Sequence, residues 1–420
     1  MKIALLAIIF AVVTGSIMCH SDIAYAEDDW LFPYIDVRGK YDDNIFLVGE
    51  DEEEDDWIIT ISPGIVIEPQ LRSKHRFICN YQADLRYFQD YDEEDSANHE
   101  VNADMEFDFN RWRVNLSNMY RYFKDRDSLS REDVGESPTT EDFYYSYGRD
   151  RLGTDDISRV YRTQDYINGI VSIEFNKMDI LFRSSYGFED YHSDDRIGDF
   201  KGEAMTYKDL ERTEYEEEAE IALKLWPKTD LLFSAVYGAV EHETGKKSDS
   251  EFRDVMVGLR GKPTARIAVE MKTGYRDQEY DDYDDDFESL IFNGSVMYEF
   301  SSRDVLLLNF LRTTNDTIYK ENAYYGASYA IVSFIHDFTG RLSGNLDFAY
   351  QVDKYPTATT EEGETKKRKD DFLSAGLGFS YRMGRNLAFD LQYEFRERDS
   401  NFDILDYENN RVSFGLRGSF

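Results

Sequence analysis

The chain has 420 residues, a formal net charge of −37 and 32% charged side chains, with 31 Tyr and 29 Phe beside only 7 Pro. So acidic a surface repels polyanions, which excludes nucleic acid as a partner. No stretch after residue 26 approaches the ~20 consecutive apolar residues of a helical span. A mean hydropathy of −0.61 still leaves room for a strand-built membrane wall, because only alternate residues of such strands need be apolar.

The chain opens with Met1-Lys2, the apolar run Ile3 to Val13 and the site Ala24-Tyr25-Ala26. A basic start, a short apolar core and an A-x-A site predict a secretory signal peptide over 1–26, leaving 27–420 as one domain. Met18 stands before Cys19, where a lipoprotein signal carries a small residue. Cleavage after Ala26 would leave Cys79 as the only cysteine, so no intramolecular disulfide is expected. A closed sheet then becomes the expected source of stability, since every backbone polar group finds a partner within it.

From about Pro33 onward the pattern is strand, turn, strand. Phe77, Cys79, Tyr81, Ala83, Leu85 and Tyr87 alternate with Asn80, Gln82, Asp84 and Arg86. Val101, Ala103, Met105, Phe107 and Phe109 alternate with Asn102, Asp104, Glu106 and Asp108. The same period of two runs through 342–352 and 387–396, while 230–240 and 304–312 are apolar on both faces. Brief turns, at 69–74, 110–111, 176–178, 227–229, 262–264, 301–303 and 382–385, alternate with longer connections. The longer ones fall near 42–56, 89–98, 125–164, 189–214, 241–251, 276–288, 313–322, 353–370 and 397–409. This predicts an all-β, antiparallel, up-and-down transmembrane barrel of the outer-membrane type with about 18 strands, or 16 if the first pair is misread. A soluble β-sandwich alternates too, but it explains neither the short-long asymmetry nor the absence of a Gly/Pro-rich linker.

The polar faces of these strands define an expected lumen wall. Its candidate members are Asp84, Arg86, Asp104, Asp108, Arg113, Arg121, Glu270, Lys272, Asp347, Asp390, Glu394 and Arg396. Acids and bases are mixed there, which suits water and sugar hydroxyls better than an ion of one sign. The connections are more acidic, with nine acids and no base from Asp42 to Asp56, and eight acids against one base from Arg276 to Glu288. Such runs are ordinarily solvated surface, and neither keeps a defined calcium-binding loop, so any metal site is left unassigned. In the longest connection, Phe143, Tyr144, Tyr145 and Tyr147 lie beside Arg149 and Arg151, a composition that holds sugars or forms ordinary loop packing.

The carboxyl end alternates strictly, with Val412, Phe414 and Leu416 on one face and Arg411, Ser413, Gly415 and Arg417 on the other. With terminal Phe420, these apolar residues resemble the assembly signal of outer-membrane barrels, although Gly418 stands where an aromatic is common. A lone soluble edge strand would show the same alternation.

Tyr41-Asp42-Asp43-Asn44-Ile45-Phe46, Ile61-Ser62-Pro63-Gly64-Ile65 and a Tyr-rich third strand ending Arg86-Tyr87-Phe88 resemble the opening of the family named "putative β-barrel porin". Its members commonly occur in exopolysaccharide gene clusters of Gram-negative bacteria. The resemblance implies an outer-membrane barrel, for some members a part in polysaccharide export, and no catalytic residues.

Two functions follow as expectations. One is a porin-like channel for saccharides or small hydrophilic solutes, as the outer-membrane component of exopolysaccharide export or as an uptake pore. The other is a structural or adhesive barrel whose acidic loops bind divalent cations. An outer-membrane protease or lipase would need a histidine poised over an acid, as His192 near Asp194-Asp195 or His242 between Glu241 and Glu243. Nucleophile motifs, phosphate-binding glycine loops and Cys/His metal spacing are absent, so no enzyme and no cofactor is expected. A TonB-driven transporter is not expected either, since 22 strands do not fit this length. Expected partners are outer-membrane lipid and lipopolysaccharide, the barrel-assembly machinery and periplasmic polysaccharide-export proteins.

Overall fold

The computed structural model describes residues 30–420 apart from 50–51, 70, 72–73, 125–159, 201–202, 282–285, 318–321 and 362. The expected leader, the aromatic cluster at 143–147 with Arg149 and Arg151, and part of both acidic runs lie outside the described residues.

Among the described residues, twenty strands follow in chain order. The first seven are β1 (Leu31–Asp42), β2 (Asp56–Ile67), β3 (Arg76–Phe88), β4 (Ser96–Asp108), β5 (Trp112–Lys124), β6 (Tyr161–Glu174) and β7 (Met178–Tyr191). A small hairpin follows, β8 (Arg196–Phe200) with β9 (Glu203–Thr206). Next come β10 (Arg212–Trp226), β11 (Thr229–His242), β12 (Ser250–Gly261), β13 (Ile267–Tyr280), β14 (Phe287–Ser301), β15 (Asp304–Asp316) and β16 (Tyr324–Asp337). The last four are β17 (Leu342–Glu361), β18 (Glu364–Arg382), β19 (Leu387–Ser400) and β20 (Tyr407–Ser419).

Eighteen of them form one antiparallel sheet, in which β7 pairs with β10 past the small hairpin and β1 pairs with β20. That last pairing, from Tyr34↔Ser419 to Asp42↔Arg411, closes the sheet into a barrel and removes its edges. The described helical segments are single 3₁₀ turns, and none is long or apolar enough to cross a membrane.

The register assigns each side chain to one of two faces. Outward lie Leu116, Ile167, Phe182, Phe233, Val255, Leu290, Leu346, Phe348, Leu377, Leu391 and Phe414, all of them large apolar groups exposed on the surface. Exposure of so many apolar groups in one continuous band is the mark of a lipid-facing wall. At the short-turn end the band finishes in Phe109, Trp112, Phe175, Trp226, Phe300 and Phe338. At the other end it finishes in tyrosines whose hydroxyls reach polar neighbours, as Tyr41 donates to Asp55 at 3.1 Å, Tyr275 to Glu288 at 3.3 Å and Tyr393 to Asn410 at 2.7 Å. Tyr350 makes the same contact with Asp371. Amphipathic rings settle at a membrane interface for this reason, with one end apolar and one end wet.

Two connections differ from the sequence reading. Residues 353–370, expected as a long loop, continue β17 and β18 as a paired hairpin that turns at Gly363, whose φ is +85°. The pattern is illegible there because Thr and Lys populate both faces once the hairpin passes the apolar band. Likewise 276–288 is mostly strand, since β13 runs to Tyr280 and β14 begins at Phe287.

The segments that are apolar on both faces also find their explanation. Val236 of β11 faces inward and packs with Phe252, Met256, Tyr280, Phe287 and Ile291 in a buried cluster. Leu311 of β15 joins Tyr325, Ala327, Tyr329 and Tyr355 in a second cluster. The barrel interior is therefore partly a core, not only a wetted wall.

Candidate channel wall and its polar interior

The motif at the first connection turns out to be the closing latch of the barrel. Asp42, 1% exposed, accepts from the Asn44 N–H at 3.3 Å and from Asn409 Nδ2 at 2.6 Å, and its other oxygen meets Arg411 Nε at 2.9 Å. Asp43 accepts from the backbone N–H of Asn410 at 2.6 Å and from its side chain at 2.8 Å. Asn44, fully buried, donates to the carbonyls of Val48 and Glu408. Asp56, also 1% exposed, accepts from the backbone N–H groups of Gln89, Asp90 and Tyr91. Acids read as solvated surface thus hold buried backbone, and no pattern in sequence alone marks which carboxylate will do so. In the second motif, Gly64 is needed because the Tyr34 ring crosses it. A Cβ there would stand 2.2 Å from Tyr34 Cζ, while the Tyr34 hydroxyl donates to Asn80 and Gln82.

The cross-strand register places Asp84, Arg86, Asp104, Asp108, Arg113 and Arg121 on the inward face of β3, β4 and β5. Glu270 and Lys272 take that face on β13, Asp347 on β17, and Asp390, Glu394 and Arg396 on β19. They do not form one constellation. Arg121 pairs with Glu100 at 2.8 Å, Arg113 lies 3.6 Å from Glu106, and Arg396 meets Glu394 at 3.0 Å. Asp104, Arg113 and Gln392 are exposed on this inner face, so the strands that carry them have open space on both sides.

The sector from β6 to β18 is filled instead. On β10, Glu214, Glu216, Glu218 and Glu220 form an inward acidic ladder, the last three 7, 6 and 2% exposed. Glu218 meets Arg183 at 2.9 Å and Lys272 at 3.0 Å, and Glu220 meets Arg260 at 3.0 Å and Lys272 as well. Lys272 reaches β10 by crossing Gly258, where a Cβ would stand 2.9 Å from Lys272 Cγ. Nearer the long connections, Glu189 accepts from Arg162 at 3.0 Å, Gln164 at 3.1 Å and Tyr191 at 3.2 Å, with Arg212 3.3 Å from its second oxygen. Arg276 holds Asp254 through two hydrogen bonds of 2.8 and 2.7 Å and lies over the Phe252 ring at 4.0 Å. On the extended hairpin, Arg368 pairs with Asp370, the two being 1% and 0% exposed. Buried charges persist only when paired in this way. Sequence reasoning found Lys272 but missed Arg162, Glu189, Arg212, the glutamates and Arg368. Alternating Glu along Glu214-x-Glu216-x-Glu218-x-Glu220 was the one available signal.

His192 and His242 do not sit over acid clusters, and His336 meets the single carboxylate of Asp304 at 2.6 Å. His192 shares a 2.7 Å hydrogen bond with Thr163 and tilts against Tyr122, while Asp194 pairs with Lys208 and Asp195 accepts from Ser193. His242 turns inward and is buried. Among the described residues, no three His, Cys, Asp or Glu side chains gather as metal ligands. Phe420 lies just past β20, where its N–H donates to the Pro33 carbonyl at 2.9 Å. Val412, Phe414 and Leu416 point outward on β20.

A closed 18-stranded antiparallel barrel with a lipid-exposed apolar exterior and a polar interior is an outer-membrane β-barrel of porin type. The chain belongs to the family described as "Putative beta-barrel porin 2", whose model matches residues 30–420. No curated protein matches its sequence. Among solved structures, it is similar to OpdK of Pseudomonas aeruginosa with vanillate, at 9% identity and a TM-score of 0.47, covering 93% of this chain and 99% of that one. It is also similar to the siderophore receptor PirA of the same organism, at 10% identity and 0.47, covering 95% and 81%. A third is OccAB3 of Acinetobacter baumannii, at 10% identity and 0.45, covering 93% and 99%.

Proposed function

We propose that this porin-type barrel passes small hydrophilic solutes, saccharides among them, and that it serves as the outer-membrane component of exopolysaccharide export. The observation that carries the reading is the inner face of β4, β5 and β19, where Asp104, Arg113 and Gln392 are exposed while the opposite face carries exposed apolar side chains. Strands with open space on both sides, one apolar and one polar, fit a wall between lipid and water. Mixed charges, largely paired with one another, leave hydroxyl- and amide-binding groups without a strong field of one sign, which favours uncharged polar solutes. The long connections then face the cell exterior and the short turns the periplasm, by the usual asymmetry of such barrels. Planar-bilayer conductance of the purified protein tests the channel, and swelling of protein-loaded liposomes in sugars of graded size tests the solute class. Stepwise current with sugar-dependent swelling is expected. A barrel that gives no current step would refute the channel, and loss of surface polysaccharide on deletion would separate export from uptake.

A further inference from the structure

We propose that Arg212, His242 and Lys247 form a binding site for a small anionic solute, a carboxylate or a phosphate, inside the barrel at its long-connection end. The proposal deepens the channel reading by giving it a charged class of solute that the bulk of the wall does not select.

Three observations converge. Arg212 and His242 are direct cross-strand partners on β10 and β11, and both face inward. The connection 243–249 is tied back against the wall, with the His242 N–H donating to Asp249 at 2.7 Å, and it carries Lys247 into the interior, where that residue is 4% exposed. The Lys247 ammonium has no hydrogen-bond partner, and the His242 ring has only the Ser248 backbone beside it, with Nδ1 3.8 Å from Asp249. Buried nitrogens without partners are rare in folded proteins, and a buried ammonium without one calls for an occupant.

The surroundings tell which occupant fits. Lys247 and Arg212 are the charges that act on His242, so three basic groups share one small volume. The acids within reach of Lys247 are Glu189 and Asp316. Glu189 already accepts from Arg162, Gln164 and Tyr191 and meets Arg212. Asp316 accepts a long 3.5 Å bond from Tyr280 and lies on β15, facing the site without closing on the ammonium. Burial holds the Lys247 pKa down to about 8, so the ammonium still carries its charge at pH 7. Water would offer it an acceptor but no countercharge, whereas an anion offers both. On the side of Arg212 away from His242 and Lys247, Arg212, which also pairs with Glu214 at 3.0 Å, and Asp316 line a cavity of about 90 Å³ with Glu216, Gln278, Thr314 and Asn315. A single water needs roughly 10–15 Å³ by this measure, so there is room for a small solute beside Arg212.

The test is calorimetric titration of the detergent-solubilised full chain at pH 7, once with sodium succinate and once with inorganic phosphate. Saturable binding is expected in the wild type, weakened tenfold or more in Lys247→Met and unchanged in Lys208→Met, which removes an exposed cation of the neighbouring connection. Binding of succinate alone assigns a carboxylate solute, and binding of phosphate alone a phosphorylated one. Asp316→Asn removes a competing acid and should tighten binding severalfold, which keeps the test decisive if Lys247→Met fails to assemble. Absence of saturable binding at millimolar concentrations, or equal binding by wild type and Lys247→Met, overturns the proposal. Bilayer conductance is measured separately. Current steps without binding refute this site alone, and binding without current steps refutes the channel alone.

Discussion

Replacing Asp42 by Ala should destabilise the barrel at its seam. The carboxylate is 1% exposed and joins Asn409 and the Asn44 amide through one oxygen and Arg411 through the other. Truncation leaves the Arg411 guanidinium, 11% exposed, without its nearest anion. Removing one partner of a buried ion pair costs about 3–5 kcal/mol. Asp42→Asn retains a hydrogen-bonding group of the same shape and should cost about half as much, on the order of 1–3 kcal/mol for a charge-assisted bond weakened to a neutral one. The assay is equilibrium guanidinium unfolding in lipid vesicles followed by tryptophan emission. Trp57 reports locally, because its ring lies 5.3 Å from Tyr41 and 6.4 Å from Phe414 across the seam. Arg411→Ala and the double variant complete a cycle in which the double loss should fall well short of the sum. Additive losses, or an Asp42→Ala cost below about 1 kcal/mol, would refute the latch.

Other consequences are open to measurement. Gly64→Ala should lower stability by roughly 1–3 kcal/mol, because the new methyl displaces the Tyr34 ring, and a second change Tyr34→Ala should recover part of the loss in the same unfolding assay. Leu346→Arg on the outer face should cost about 2–4 kcal/mol near mid-bilayer, whereas Asp104→Lys should leave folding yield intact and shift the anion-to-cation permeability ratio. Equal folding losses from the two would show the faces to be misassigned. Burial, the Asp190 carboxyl and the nearby Glu243 push the Glu211 pKa up to about 7. Its protonated form is the one that suits the fold, so the stability of this region is fully present below the unfolded pKa near 4.5 and declines as pH rises toward 7. Proteolysis of the 192–211 connection should be faster at pH 8 than at pH 5, and Glu211→Gln should remove the difference.

The barrel was legible in the sequence wherever one face of a strand meets lipid, because an apolar band forces a period of two that no polar neighbour obscures. That is why Phe77 to Tyr87 and Leu387 to Phe395 read cleanly, and why 18 strands emerge from the count. Legibility fades where strands leave the band. The Thr- and Lys-rich continuation of β17 and β18 has water on its outer face and ion pairs on its inner one, so both faces are polar. It fades again where the interior is packed, as at Val236 and Leu311, since burial from within makes the inner face apolar too. Parity separates inward from outward but says nothing of which inward groups are covered. Asp104 and Asp254 look alike in sequence, yet one is exposed and the other lies 2% exposed under Arg276. The local motifs carried more than their composition suggested, for Asn44 and Gly64 each serve a contact with a residue distant in the chain, Glu408 and Tyr34.

The tyrosine hydroxyls at the upper edge of the band have a consequence for how deep the barrel rides. Each ring belongs in the interface, while the group its hydroxyl meets, Asp55, Glu288, Asp371 or Asn410, belongs in water. Sinking by one residue, about 3.3 Å along a strand, would draw carboxylates toward hydrocarbon, and rising by the same distance would strip lipid from the rings. The tethers on β13, β17, β19 and β1 lie in one arc of the barrel that crosses its β20–β1 seam, so they hold the depth of that side. Together they act as a waterline that fixes the draught along that arc. A bilayer of different thickness would have to adjust to the protein at the opposite rim, where Trp112, Trp226, Phe300 and Phe338 have no such polar tether among the described contacts.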